Sequence, residues 1–141
     1  MTDLEQRIFN FAKKPQLANF ATIIDDTKPR VRYVVGKLDE LLTFRFSTHL
    51  DSNKVEQISK NSNVFVTLGA NSVMATNWLQ IEGTGTVTTA TDERKSFWFA
   101  PLENYFKGID DPRYSVVIVK PLQIQLNTMG KPSEIWRQHS E

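Results

Sequence analysis

The sequence predicts a β-dominated α+β fold: a closed or partly closed antiparallel β-barrel of about six to seven strands with two to three short helices. Three observations lead to this prediction. Short β-rich runs recur between turn-forming residues, few segments have helical spacing, and the 40% apolar composition is typical of a globular protein. The 141 residues contain no linker, repeat or low-complexity segment, so we predict a single domain over residues 1–141.

Three segments have the spacing of short amphipathic helices. The first begins with the capping-box residues Thr2 and Glu5 and is closed by Pro15. The second follows Ser52, which can cap it. The third begins at Thr91 and carries acidic residues at the positive end of its dipole.

Seven runs have strand character because β-branched and aromatic residues are frequent in them. They are residues 17–24, 30–35, 41–47, 64–68, 78–88, 115–119 and 122–126. Residues 36–40 are predicted to form a short connection, and Pro121 is predicted to separate the last two strands. Gly83 lies inside the longest run, where a glycine indicates a β-bulge or a close approach of two backbones.

Charge and composition exclude several classes of function. Seventeen basic and sixteen acidic residues leave a formal charge of +1, so no global field attracts nucleic acid or an anionic membrane. The chain has no apolar stretch of about 18 residues that could span a membrane and no signal-peptide core, so we expect a cytoplasmic protein. With no cysteine and only two histidines, we predict no disulfide, no cysteine nucleophile and no metal site.

The most informative segments are RYVVGK at 32–37 and FSTHLDSNK at 46–54, where basic and hydroxyl side chains cluster at strand ends and at a helix start. A helix that begins near Ser52 offers free N–H groups, to which neighbouring hydroxyls and Lys54 add donors and charge. This pattern fits a phosphate monoester. An alternative stays open, in which Ser52 is only a helix cap, Lys54 is solvated and Arg32 points outward from its strand.

From about residue 17 to residue 126 the sequence resembles the pyridoxamine 5'-phosphate oxidase-like split β-barrels that bind flavin mononucleotide (FMN), especially their general stress protein branch. The segments LANFATI, TKPRVRYVVGK, LLTFRFSTHLDSNKVEQI, VFVTL, WLQIEGTGTV and YFKGIDDPRYSVVIVKP match in order. The resemblance implies an FMN site at Arg32, Tyr33, Val34, Val35, Lys37, Ser47, Thr48, Ser52 and Lys54. Where the oxidases have an arginine before the last lysine, this chain has Asn53, so one cation is missing from the implied phosphate site.

The resemblance also implies contacts to the flavin ring. In the oxidases a glutamine five residues before a glycine meets the ring; at that spacing before Gly83 this chain has Trp78, with Gln80 two residues further on. Tyr105 and Phe106 resemble aromatic residues that cover the flavin edge near the dimer partner. For Trp78, packing in the barrel core stays an equally open interpretation.

The resemblance implies that the protein is an FMN-dependent oxidoreductase with a stress-related role, acting on an unidentified small molecule. It also implies a homodimer with the cofactor between the subunits. The flavin performs the electron transfer in such proteins, so no catalytic side chain is predicted. The alternative is a non-catalytic flavin- or haem-binding protein, and an oligonucleotide-binding barrel ranks lower because no basic stripe is present. Arg137 and His139 match the Arg-x-His substrate segment of the oxidases in two residues only, so we do not predict that substrate site.

Overall fold

The computed structural model describes residues 1–139. Its helices are α1 (Asp3–Ala12), α2 (Asn53–Lys60) and α3 (Thr91–Phe97), followed by a short 3-10 helix at Ala100–Asn104. Its strands are β1 (Gln16–Ile24), β2 (Lys28–Leu38), β3 (Phe44–His49), β4 (Asn63–Leu68), β5 (Asn77–Thr88), β6 (Tyr114–Thr128) and β7 (Glu134–Arg137). None of the described helices is long and apolar enough to cross a bilayer.

The strands form one antiparallel sheet in the order β3-β2-β1-β4-β5-β6-β7. Additional pairing between β3 and β6 closes the first six strands into a barrel, and β7 extends β6 on the outside. Alternate residues of each strand point into the barrel, where Phe20, Phe44 and Phe46 are fully buried and the Phe20 and Phe46 ring centroids are 4.7 Å apart. The β-dominated barrel with short helices is confirmed.

The predicted capping box opens α1. The Glu5 amide donates to Thr2 Oγ1 (3.1 Å), and the Thr2 amide donates to Glu5 Oε1 (2.8 Å), which satisfies two N–H groups of the first turn. Ile8 and Ala12 then become fully buried against the barrel core. Arg7 binds Glu134 of β7 with both terminal nitrogens (2.8 and 2.6 Å), which ties the helix to the last strand.

The connection before β3 differs from its prediction. Strand β2 continues to Leu38, so residues 36–40 are not the predicted connection, and β3 begins at Phe44. The reason is Asp39, whose Oδ1 accepts hydrogen bonds from the amides of Leu41 (2.8 Å) and Thr43 (3.0 Å) and thereby holds a turn. Leu42 lies in this turn with φ of 62° and is buried, so its apolar side chain belongs to the core although it is not in the strand.

The predicted break at Pro121 is also wrong, because β6 runs through it as one strand of 15 residues. The pairing of β5 with β6 shifts register between Glu82 and Gly83, opposite Pro121, so the predicted irregularity at Gly83 is confirmed. A Cβ at Gly83 would lie 2.4 Å from the Lys120 carbonyl oxygen, which explains the glycine. Strand β7 was not predicted.

Candidate functional site

Two adjoining cavities lie where β2, β3 and the start of α2 meet. The first, here called the cationic pocket, has a volume of about 340 Å³ and is lined by Arg30, Val31, Arg32, Asn53 and Lys54. The second, the apolar cleft, has a volume of about 430 Å³. It is lined by Leu17, Tyr33, Val34, Val35, Ser47, Thr48, His49, Lys54, Phe99, Pro101, Leu102, Tyr105 and Phe106. Lys54 lines both cavities, which therefore adjoin at its side chain and are here together called the depression.

Arg32 points from β2 towards α2 rather than outward into solvent. Its Nη2 donates to Gln57 Oε1 (2.7 Å), and its Nη1 donates to Thr22 Oγ1 (2.8 Å). Burial lowers the pKa of Arg32, and the neighbouring Arg30 lowers it further. The alternative of an outward, solvated Arg32 is therefore wrong.

Lys54 lies close enough to Arg32 for the two charges to repel each other. Burial lowers the pKa of the Lys54 ammonium, and the charge of Arg32 lowers it further. Within residues 1–139, no carboxylate forms an ion pair with either side chain. The site therefore concentrates positive charge that the protein itself does not neutralise.

Two hydroxyls stand at the junction of β3 and α2. Ser52 is the N-cap residue of α2, yet its side chain makes no capping hydrogen bond; its Oγ lies 3.1 Å from Thr48 Oγ1 instead. Thr48 is fixed in turn by Ser115, whose hydroxyl donates to the Thr48 carbonyl (2.9 Å) across the barrel seam. The Val55 amide donates to the Ser52 carbonyl (3.2 Å), so the amides of Asn53 and Lys54 are the ones left available to an anion.

An aromatic wall closes the other side of the apolar cleft. Phe106 is buried and packs on Tyr114 (centroids 4.8 Å apart), while Tyr105 beside it is largely exposed. His49 is half-buried, and the centroid of its ring lies 4.7 Å from that of Phe106. Phe97 is buried in the core, as expected from its place on α3.

The remaining predicted residues lie apart from this depression. Trp78 and Gln80 line a neighbouring cavity of about 530 Å³ that shares Leu17 and Tyr33 with the apolar cleft. Lys37 is on the opposite side of β2 from Arg32 in the pleat; it lines a cavity of about 630 Å³ and its Nζ is 5.8 Å from the Phe97 ring centroid. Their contact with a flavin stays a prediction.

Several lining residues were missed by sequence reasoning. Leu17, Pro101 and Leu102 reach the apolar cleft from β1 and from the 3-10 segment. Leu17 could have been identified from the predicted hairpin, because it pairs with Val35 and the two side chains therefore lie on the same face of the sheet. The 3-10 segment had no such signal, because its position depends on packing against β6.

Residues 4–128 match the model of the family described as Pyridoxamine 5'-phosphate oxidase. General stress protein 26 of Bacillus subtilis (strain 168) is 25% identical over 134 residues, which are 94% of this chain and 94% of that protein. The crystal structure of General Stress Protein 26 from Bacillus anthracis has a TM-score of 0.84 at 20% identity and covers 97% of this chain and 100% of its own.

Two further solved structures with this fold concern cofactors. One is a pyridoxamine 5'-phosphate oxidase-related, FMN binding protein from Nostoc punctiforme (TM-score 0.63, 16% identity, 97% of this chain and 85% of that chain). The other is a heme binding protein from Mycobacterium smegmatis (TM-score 0.76, 12% identity, 97% of this chain and 59% of that chain). With the match over residues 4–128 and the closed barrel described above, this chain belongs to the pyridoxamine 5'-phosphate oxidase family.

Proposed function

We propose that the protein binds FMN, with the phosphate in the cationic pocket and the isoalloxazine ring in the apolar cleft. One observation carries this proposal: Arg32 and Lys54 are half-buried cations that repel each other, and no described carboxylate pairs with them. Such an arrangement is unfavourable in the free protein. A phosphate group with about two negative charges would remove the repulsion and accept charge-assisted hydrogen bonds from both side chains.

The surroundings of the two cations fit the rest of a phosphate ester. The hydroxyls of Thr48 and Ser52 and the uncapped amides of α2 supply neutral donors beside the charges. In the apolar cleft, Val34, Val35 and Phe106 present the kind of surface that a flat heteroaromatic ring covers well. The charged end and the apolar end are joined at Lys54, as a molecule with a phosphate at one end and a ring at the other requires.

We propose further that the protein is an FMN-dependent oxidoreductase acting on an unidentified small molecule in the cytoplasm, with a role in stress. Bound flavin supplies electron or hydride transfer, while the protein binds and orients the ring and excludes water from it. The proposal does not include activity on pyridoxamine 5'-phosphate itself. Arg137, which matches the substrate segment of the oxidases, is exposed on β7. We name no catalytic side chain.

The subunit arrangement that fits this site is a homodimer with the cofactor at the interface. The outer apolar face, defined here as Leu17, Val31, Tyr33, Val35 and Phe65, lies on the neighbouring strands β2, β1 and β4 and is exposed, with Val31 62% and Tyr33 73% accessible. Contiguous apolar side chains of this kind mark an association surface. Leu17, Tyr33 and Val35 also line the apolar cleft, so a second copy on this face would border the cofactor.

The dimer is tested by replacing Val31, which lines the edge of the cationic pocket, with glutamate and measuring the mass by sedimentation. A shift from dimer to monomer is expected, because the variant would bury an unpaired charge in an apolar interface. The exposed Val73 supplies the matched control, since it is not on the outer apolar face. A wild-type protein that sediments as a monomer contradicts the proposal.

Haem binding is a second candidate, supported by the fold shared with the Mycobacterium smegmatis protein and by His49, whose imidazole lines the apolar cleft. Neutral imidazole is a common axial ligand of haem iron. A Soret band in the purified protein, lost in His49→Ala, would favour haem. The two cations Arg32 and Lys54, which pair with no carboxylate in the described part of the chain, do not distinguish FMN from haem, because haem propionates are anions as well.

The test of the FMN proposal compares FMN with riboflavin, which has the same ring without the phosphate. Ligand-free protein is titrated with each compound while the quenching of flavin fluorescence is followed. FMN is expected to bind at least about a hundredfold more tightly, since charge-assisted hydrogen bonds to phosphate contribute roughly 3 kcal/mol or more together. Equal affinities, or no binding of either flavin, would overturn the proposal.

A further inference from the structure

The cavity beside the apolar cleft is unusual in this protein because, among residues 1–139, no charged side chain lines it. It has a volume of about 530 Å³, is here called the neutral cavity, and lies between β1, β2, β4, β5 and the loop that follows β4. It is lined by Leu17, Ala18, Asn19, Tyr33, Thr67, Leu68, Gly69, Ala70, Asn71, Ser72, Ala75, Trp78 and Gln80. A ligand with a net charge would find no partner there.

One polar group of this lining is held in a defined orientation. Asn127 accepts hydrogen bonds at Oδ1 from Gln125 Nε2 (3.0 Å) and from the Ser133 hydroxyl (2.7 Å), and Ser133 itself accepts from Gln125. The Asn127 amide nitrogen must therefore face the other way, where it donates to Gln80 Oε1 (3.0 Å). The Gln80 oxygen is thus occupied, and its Nε2 is left as a donor at the cavity.

Two of the residues that line the neutral cavity, Tyr33 and Trp78, are aromatic. Trp78 lies two residues before Gln80 on the same face of β5, and Tyr33 borders both this cavity and the apolar cleft. A planar compound between these side chains would gain aromatic contacts. Because Tyr33 and Leu17 are shared, such a compound would lie next to the place proposed for the flavin ring, and a second subunit on the outer apolar face would border it.

The charged groups of the protein lie elsewhere. Arg32 and Lys54 are assigned above to the cofactor phosphate. Lys37 lines a separate cavity of about 630 Å³ together with Lys13, Arg45 and four carboxylates, so cations and anions largely offset each other there. The four are Asp39, Glu40, Asp92 and Glu93.

From these observations we infer that the neutral cavity binds the substrate, an uncharged planar molecule with a carbonyl or nitro oxygen that accepts a hydrogen bond from Gln80 Nε2. This inference rests on the proposed flavin site for the role of the bound molecule. It names the chemical class of the unidentified substrate, and it excludes phosphorylated substrates from this cavity.

The test uses two probes of the same shape and different charge, 4-nitrobenzamide and 4-nitrobenzoate. Each is titrated into the FMN-loaded protein and into the ligand-free protein, with quenching of tryptophan fluorescence and the visible flavin spectrum as readouts. The amide is expected to bind at least about tenfold more tightly than the carboxylate, because the carboxylate would be desolvated without a cation. Equal or tighter binding of the carboxylate would overturn the inference.

Variants locate the bound probe. Gln80→Leu should weaken 4-nitrobenzamide by about three- to tenfold, the range for one hydrogen bond between neutral groups. Asn127→Asp replaces the donor to Gln80 by an acceptor and so reverses the Gln80 amide; it should cause a similar loss although Gln80 is retained. Gln123→Leu is the matched control, since Gln123 lies on the outer surface of β6 away from the cavity. Unchanged binding in Gln80→Leu contradicts the inference.

The two proposals fail separately. If FMN does not bind but 4-nitrobenzamide still quenches tryptophan fluorescence in the ligand-free protein and loses affinity in Gln80→Leu, the flavin proposal is wrong and the neutral cavity stands. If FMN binds and both probes bind equally, the flavin proposal stands and the substrate class is wrong.

Discussion

Arg32 and Arg45 are both half-buried arginines on neighbouring strands of the barrel, yet their surroundings are opposite. Arg45 donates to Asp39 and to Glu93, the latter at 2.9 Å from Nε. Burial by itself lowers the pKa of Arg45, but the hydrogen bonds to Glu93 and Asp39 raise it overall. Arg32 has only neutral oxygen partners, and burial together with Arg30 lowers its pKa.

The difference separates a cation that is neutralised within the fold from a cation that we propose binds a ligand. The Arg45 charge is neutralised within the chain, so removing it leaves two carboxylates unpaired. The Arg32 charge has no counter-ion among the described residues, so the free protein carries an unfavourable interaction that an anion relieves. Each prediction below tests one side of this contrast.

The largest effect is expected for the double variant Arg32→Ala, Lys54→Ala. Loss of two charge-assisted hydrogen bonds at roughly 2 kcal/mol each should weaken FMN by about a thousandfold. Without ligand, the variant should unfold at a temperature no lower than the wild type, because two repelling charges are gone and Thr22 still donates to Gln57 (2.7 Å). Calorimetric titration and thermal unfolding measure the two quantities. Wild-type FMN affinity in this variant would show that Arg32 and Lys54 do not bind the phosphate.

Arg45→Ala should have the opposite effects: lower stability and unchanged FMN affinity. Asp39 and Glu93 lose their shared cation, and because the network is partly exposed the free energy of unfolding should fall by about 2 kcal/mol. FMN affinity should stay unchanged, since Arg45 does not line the cationic pocket or the apolar cleft. Arg45→Lys should recover only part of the stability, as one ammonium cannot match both carboxylates with a guanidinium's geometry. Urea unfolding checks this, and a loss of FMN affinity without a loss of stability would contradict the contrast.

A smaller effect is expected from Asn53→Arg, which places a third cation beside Arg32 and Lys54 at the position where the oxidases carry an arginine. FMN affinity should rise by about fivefold, or roughly 1 kcal/mol, while the ligand-free protein loses some stability through added repulsion. Asn53→Gln adds length without charge and serves as the control. The same fluorescence titration measures all three proteins, and equal gains in both variants would show that charge is not responsible.

Sequence reasoning worked best where local chemistry decides the structure. The capping box at Thr2 and the strand that contains Phe44 and Phe46 could be predicted, because the residues that form each pattern are close in sequence. The continuity of β6 through Pro121 could not be predicted in this way, because it depends on a register shift in the pairing of β6 with β5. Strand β7 was missed for a related reason, since its place is set by pairing with β6 and by the ion pair of Glu134 with Arg7.

The candidate site shows the same division. Residue types led to the prediction that segments 32–37 and 46–54 bind an anion, and the structure brings Arg32 and Lys54 to one pocket. Their most informative property is that no described carboxylate pairs with them. The sequence could not predict this, because the chain has sixteen acidic residues that could have done so. Where those acidic groups lie depends on the closed barrel, which places Asp39 and Glu93 on Arg45 instead.

The smallest expected effect is a pH dependence that changes when an anion binds. In the ligand-free protein the pKa of Lys54 is lowered from 10.5, so between the lowered pKa and 10.5 the unfolded chain holds more protons than the folded chain. Stability relative to Lys54→Gln should therefore rise with pH in that window, by a fraction of about 1 kcal/mol because water screens a half-exposed group. Bound phosphate favours the charged ammonium, so with saturating FMN the rise should disappear or reverse. Urea unfolding of both proteins from about pH 8 to about pH 10 measures the difference, and an identical slope with and without FMN would mean that Lys54 does not contact the anion.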